Sequence, residues 1–227
     1  MAETIYTIPI NEEFEARIES ADCSCPLCNL YKKLENDELS LILGASMMEP
    51  DVRIKTNRLG FCPHHYGKML TNGKRLPLAL MLESHLNELR DTVSSASPEK
   101  AAKRITELEN SCYVCSRVEE NFRHLVSNAV YMWETDGEFR EKFSKQSYFC
   151  INHIAALLDC GKSEMTKKVF KEFAPAVREK MDEILSSLCD DVSWFCKKYD
   201  YRYENEPWGN AKDSPERSIK FLGGETK

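Results

Sequence analysis

The sequence predicts an all-α protein: two repeated helical units, each stapled by a Cys3His zinc site, followed by a long C-terminal helix and a turn-rich tail. Three observations carry this. Apolar residues recur at helical spacing along most of the chain, and strand-like alternation is nearly absent. "CPLC" (25–28) followed by "FCPHH" (61–65) returns as "CYVC" (112–115) followed by "FCINH" (149–153). The 227 residues are 42% hydrophobic and 30% charged, an ordinary soluble composition with length enough for a core.

The elements follow in order. "TIYTIPI" (4–10) is the one extended piece expected, a packed arm. "NEEFEARIESA" (11–21) reads as a helix capped by Asn11 with acids in its first turn. From Pro26 to about Met48, Leu27, Leu30, Tyr31, Leu34, Leu41 and Ile42 keep the helical period. A loop then leads to the CxxH motif and a helix behind it. Residues 73–93 read as a helix with Pro77 near its first turn. "SSASPEK" (94–100) is a linker in which Ser97 caps and Pro98 opens a helix to about Asn110. Another helix covers roughly 113–134. From Ser163 to Tyr199, Val169, Phe170, Phe173, Val177, Met181, Ile184, Leu185, Leu188, Val192, Phe195 and Tyr199 form one apolar face, with Pro175 expected to kink or interrupt it. In the tail, Ser214 and Pro215 start a short helix that Gly223 and Gly224 end.

The repeat selects the ligands. Cys25 and Cys112 are 87 positions apart, as are Cys28 and Cys115; Cys62 and Cys150 are 88 apart, as are His65 and His153. "FCPHHYGKMLTNGK" (61–74) aligns without a gap on "FCINHIAALLDCGK" (149–162). Asn152 takes the place of His64, so His65 is the repeated histidine, and His64 is a supporting or surface group with ligation as its alternative. Cys23 falls outside the repeated CxxC, and Cys160 aligns with Asn72; each is a bystander, a spare ligand or a sensing thiol. The expected ligand sets are Cys25, Cys28, Cys62 and His65, then Cys112, Cys115, Cys150 and His153, two Zn2+ per chain. The sequential domains are 1–96, 97–200 with the long helix, and a tail, 201–227, packing on the helices.

The chemistry suits zinc. A CxxC at a helix start puts two sulfurs on one side of a tight turn, CxxH does the same with one imidazole, and three thiolates plus a histidine close a tetrahedral site. A helix N-terminus also favours thiolate. An iron–sulfur cluster is the competing reading, but it usually takes four cysteines at tighter spacing. A closed site has no open position for water, which argues against catalysis by the metal. A thiol–disulfide active site at "CPLC" needs a βαβ context and leaves the other three motifs unexplained.

The remaining residues have ordinary explanations. Cys189 and Cys196, seven apart, are expected as buried small hydrophobes. His85 and His124 are surface or core groups. Tyr199, Tyr201, Tyr203 and Trp208 pack the tail on the helices, with a ligand or partner groove as the alternative. The formal charge of −6, about −8 once two sites each add −1, disfavours nucleic acid as the main partner. No signal peptide is visible, and the longest apolar runs are too short to span a bilayer, so no membrane is expected and the protein reads as cytoplasmic. Ten cysteines in that compartment point to metal or redox chemistry.

The CPxC, the "DVR…GFCPxH" segment and the "KYDYR…EPWG…SPERSIKFLGG" tail together resemble a bacterial and archaeal family described only as a domain of unknown function, over nearly the whole chain. The resemblance implies the layout and no reaction. A transporter substrate-binding role, a label such chains sometimes carry, does not suit a chain with neither a signal peptide nor a β/α alternation. The functional expectation is a non-enzymatic zinc-binding adaptor or regulatory protein whose partner is another protein. A thiol-based redox or metal-stress sensor and a small-molecule-binding protein are the alternatives.

Overall fold

The computed structural model describes residues 7–19 and 24–224; among these it holds eleven α-helices and no strand. They are α1 (Thr7–Glu19), α2 (Pro26–Ile42), α3 (Pro50–Leu59), α4 (Pro63–Thr71), α5 (Arg75–Ser94), α6 (Pro98–Glu109), α7 (Tyr113–Thr135), α8 (Gly137–Ser144), α9 (Ile151–Glu164), α10 (Lys167–Lys197) and α11 (Ser214–Gly223). No helix among the described residues is long and apolar enough to cross a membrane.

Two local expectations are corrected, and the interruption foreseen at Pro175 is absent. Thr7–Ile10, expected extended, form the first turn of α1; residues 4–6 and Cys23 lie outside the described residues. Helices α3 and α8 occupy the stretches expected as loops before each CxxH. Pro50 opens α3 at a position where a missing N–H costs nothing, and Asp136 caps α8 by accepting from the backbone N–H groups of Glu138 and Phe139. Helix α10 runs unbroken through Pro175 for 31 residues. The lost hydrogen bond there is offset by the burial of Phe173 and Val177 on either side.

The helices form two compact units, residues 33–122 and the combination of 1–32 with 123–227. The repeat predicts a sequential division at 96/97; the observed division is nested, because α2 and α7 each begin in one unit and end in the other.

In the two-segment unit, Phe14, Phe139, Phe143, Phe149 and Phe173 make an aromatic core, with centroids of 4.9 Å for Phe14–Phe139 and 5.2 Å for Phe143–Phe149. Helix α9 packs on α10, and α11 on both. Gly161 makes the first of these approaches possible: a Cβ there would meet the Phe173 ring at 2.7 Å. On α10, Phe173, Val177, Ile184 and Leu188 are buried, whereas Cys189 and Cys196 are exposed, contrary to the expectation. One residue past Leu188 turns the side chain roughly 100° away from the core.

The tail folds back over the end of α10. Lys198 Nζ donates to the carbonyls of Tyr203, Glu204 and Glu206, and Trp194 Nε1–H donates to Pro207 O. Trp208 packs on Phe195, but Tyr199 and Tyr201 are 77% and 85% exposed, so only part of the aromatic cluster covers the helix.

In the 33–122 unit, α3 packs on α5 and α5 on α6. Gly60 ends α3 at φ 59°, a conformation glycine adopts without strain, and its carbonyl accepts from Tyr113 N–H at 3.0 Å. Ser111 Oγ donates to Leu59 O, so carbonyls at the end of α3 hold the start of α7 in place, and Arg104 of α6 donates to Arg58 O.

Candidate metal centres

All four motifs are built alike. Cys62 and Cys150 are the N-cap residues of α4 and α9, in extended conformation, and His65 and His153 are the third helical residues behind them. Cys25 and Cys112 directly precede α2 and α7, with Cys28 and Cys115 third in the helix. One helical turn thus puts each pair of donors on the same side of a helix N-terminus, where the partial positive charge of the backbone favours thiolate.

The four motifs close in two sets, and the pairing differs from the expected one. Cys25 and Cys28 meet Cys150 and His153, the outer centre; Cys62 and His65 meet Cys112 and Cys115, the inner centre. Within each set the donor atoms lie within 4.8 Å of one another. Each repeat therefore contributes half of each centre, instead of closing a centre of its own. The reason is packing: the Gly60–Tyr113 and Ser111–Leu59 bonds bring the second CxxC to the first CxxH. In the outer centre, Asn29 Nδ2 donates to Glu13 and to Ser24, and Gln146 Nε2 to Phe14 O, tying the start of α2 and the approach to α9 to α1.

In the outer centre His153 Nδ1 is 3.4 Å from Cys25 Sγ and Cys28 Sγ and 3.2 Å from Cys150 Sγ, and Cys28 and Cys150 sulfurs are 3.6 Å apart. In the inner centre His65 Nδ1 is 3.2 Å from Cys62, 3.3 Å from Cys112 and 3.4 Å from Cys115, with Cys62 and Cys115 sulfurs 3.9 Å apart. A tetrahedral ion with metal–sulfur bonds of about 2.3 Å requires sulfurs about 3.8 Å apart. The residues present therefore fit a four-coordinate cation in each set.

The electrostatics show what an incoming cation would displace. Burial, with thiol contacts to Cys150 and Cys28, pushes Cys25 well above the usual thiol range. The contact with Cys150 pushes Cys28 up to about 12. Cys150 is held well below that range by the Cys25 and Cys28 thiols, so one thiolate accepts from two thiols. In the inner centre burial raises Cys112, and burial with the neighbouring Cys112 charge raises Cys115. Three sulfur anions cannot share a buried site unless a cation balances them.

The two sets are not equivalent. All four outer ligands are buried, whereas Cys62 and Cys115 are half-buried. Motif reading missed one partner of the inner histidine: His65 Nε2–H donates to Glu35 Oε1 at 3.0 Å. His64 Nε2 shares that oxygen at 3.0 Å, and Lys68 Nζ pairs with Glu35 Oε2. Burial raises the Glu35 carboxyl, but Lys68 and His64 more than offset this and hold it below the usual range. Glu35, His64 and His65 could themselves surround an ion. We read them as support for the inner centre, because His65 turns its Nδ1 to the sulfurs and Lys68 already neutralises the carboxylate. His64 and Lys68, one turn apart, were a face signal in the sequence; nothing marked Glu35. Cys160, half-buried, belongs to neither set, and His85 is held by Asn57 O at 2.8 Å.

The family profile described as "Family of unknown function (DUF6062)" matches residues 1–227, so the chain belongs to that family. A relative from Caldicellulosiruptor sp. (strain Rt8B.4), described as "Uncharacterized 23.9 kDa protein in xynA 3'region", is 24% identical over 165 residues, 72% of this chain and 78% of its own. No solved structure matches.

Proposed function

We propose that this member of the DUF6062 family is a non-enzymatic zinc protein, an adaptor or regulatory scaffold whose helical surface binds another protein. The observation that carries the zinc reading is the closure of each set: three sulfurs and one imidazole nitrogen fill four positions. Bound there, zinc supplies charge balance and a cross-link, and the side chains leave no ligand position for a substrate. Cys25, Cys28, Cys150 and His153 would hold one ion; Cys62, His65, Cys112 and Cys115 the other. Support for a protein partner comes from α6, which buries no residue and presents Ile105, and from α5, which leaves Leu76 and Leu86 exposed.

The test is elemental mass spectrometry on protein purified without a metal-binding tag, followed by co-migration in a native extract before and after chelation. Two zinc ions per chain, with a partner that dissociates when they are stripped, is the expected result. Zinc-free protein that refuses added zinc would overturn the reading of the centres. Turnover of a substrate by the loaded protein would overturn the adaptor role.

A further inference from the structure

We propose that the two centres divide their labour: the inner one exchanges its metal with small competing ligands, while the outer one keeps its ion for as long as the fold lasts. This rests on the zinc reading above and goes beyond it, since closure alone would make the two centres alike.

Exchange at a filled four-coordinate site starts where an incoming donor can reach the ion or displace a ligand, so access to the sulfurs sets the rate. In the outer centre Cys25, Cys28 and Cys150 are each 0% exposed and His153 is 5% exposed. Cys150 follows directly on Phe149, whose ring lies 5.2 Å from Phe143 and 6.1 Å from Phe14. A competing ligand reaches those sulfurs only after this aromatic core opens, and that opening is close to unfolding of the unit.

The inner centre is built otherwise. Cys62 and Cys115 reach the surface, and their sulfurs are neighbours at 3.9 Å. The polar groups beside them are hydrated: the His64 side chain is 51% exposed and that of Lys68 36%. Lys68 pairs with Glu35 Oε2, so no unbalanced Glu35 carboxylate stands at the approach to repel anionic competitors such as small thiolates and carboxylate chelators. Glu35, gripping His65 from behind, keeps the imidazole oriented while a sulfur is displaced. A partly open sulfur pair beside a fixed histidine is an arrangement from which the ion can leave and to which it can return without unfolding.

The experiment starts from protein carrying two zinc ions. The anionic chromophoric chelator 4-(2-pyridylazo)resorcinol is added in excess and release is followed by absorbance. Samples taken during the reaction are alkylated with N-ethylmaleimide and mapped by peptide mass spectrometry. The expected course is two phases of one equivalent each, at least tenfold apart in rate. Cys62 and Cys115 should become labelled in the first, while Cys25, Cys28 and Cys150 stay protected until the second. Release in one phase, or labelling of the outer cysteines first, overturns this proposal and leaves the zinc reading standing. A chain that holds no zinc overturns both.

Discussion

His65 turns one ring nitrogen to three sulfurs and donates from the other to Glu35 Oε1 at 3.0 Å. The carboxylate fixes the tautomer that leaves Nδ1 free to bind a cation. The repeat puts Phe122 where Glu35 would fall, so Glu35 has no acidic counterpart at the aligned position. Replacing Glu35 by Ala should weaken one of two zinc ions by about 10- to 100-fold and leave the other unchanged. Glu35→Gln, which keeps an acceptor, should lose less. Chelator competition titrations on both variants read this directly; equal weakening of both ions would contradict the assignment.

The nested pairing predicts which substitutions act together. Cys62→Ser and Cys115→Ser should abolish the same cobalt or zinc site, and the double variant should cost little more than either alone. Cys62→Ser with Cys28→Ser should be additive, because the two sulfurs belong to separate centres. Cobalt-substituted absorbance, with its sulfur-to-metal bands counted per chain, distinguishes this from closure within each repeat.

Zinc binding should strengthen as pH rises. In the outer centre Cys25 and Cys28 have raised pKa values and Cys150 a lowered one, so near neutral pH an incoming ion must expel two protons. Below the raised values protons compete with the metal, and each expelled proton weakens binding about tenfold per pH unit of acidification. Affinity measured by chelator competition between pH 6 and 8 should change about a hundredfold per unit for the outer ion. A flat profile would mean that the sulfurs are already ionised without metal.

Gly161→Ala tests how α9 is seated. The added methyl would meet the Phe173 ring at 2.7 Å, so α9 and α10 must separate, at a cost of about 1–3 kcal/mol. Gly73→Ala, at the aligned position of the first repeat, meets no atom within 4 Å and has φ 83°, so its smaller cost would come from backbone strain alone. Thermal melts of the two variants separate packing from strain. A drop in Tm no larger for Gly161→Ala than for Gly73→Ala would contradict the close approach.

Much of the helical layout was legible because local rules decide it. Pro98 behind Ser97, Pro215 behind Ser214 and Gly224 after α11 stand where the helix ends fall. Helices α3 and α8 were not legible: at 10 and 8 residues they are short, and their buried faces, Thr56 in one and Phe139 with Phe143 in the other, become visible only against their neighbours. The exposure of Cys189 and Cys196 was likewise hidden, because an apolar stripe of 31 residues does not say how much of its width a partner covers.

The sequence by itself determined the four donor pairs: each is local, a CxxC or CxxH across one helical turn, and the repeat removes His64 from the choice. Which pair faces which was left to the tertiary structure. Closing Cys25 on His153 spans 128 residues, against 40 for closure on His65. The longer loop costs only about 1 kcal/mol more in chain entropy, because that cost grows as the logarithm of length. So small a preference for local closure is overridden by the aromatic core under α9 and the carbonyl bonds that bind the end of α3 to the start of α7. Packing therefore decided that each repeat supplies half of each centre.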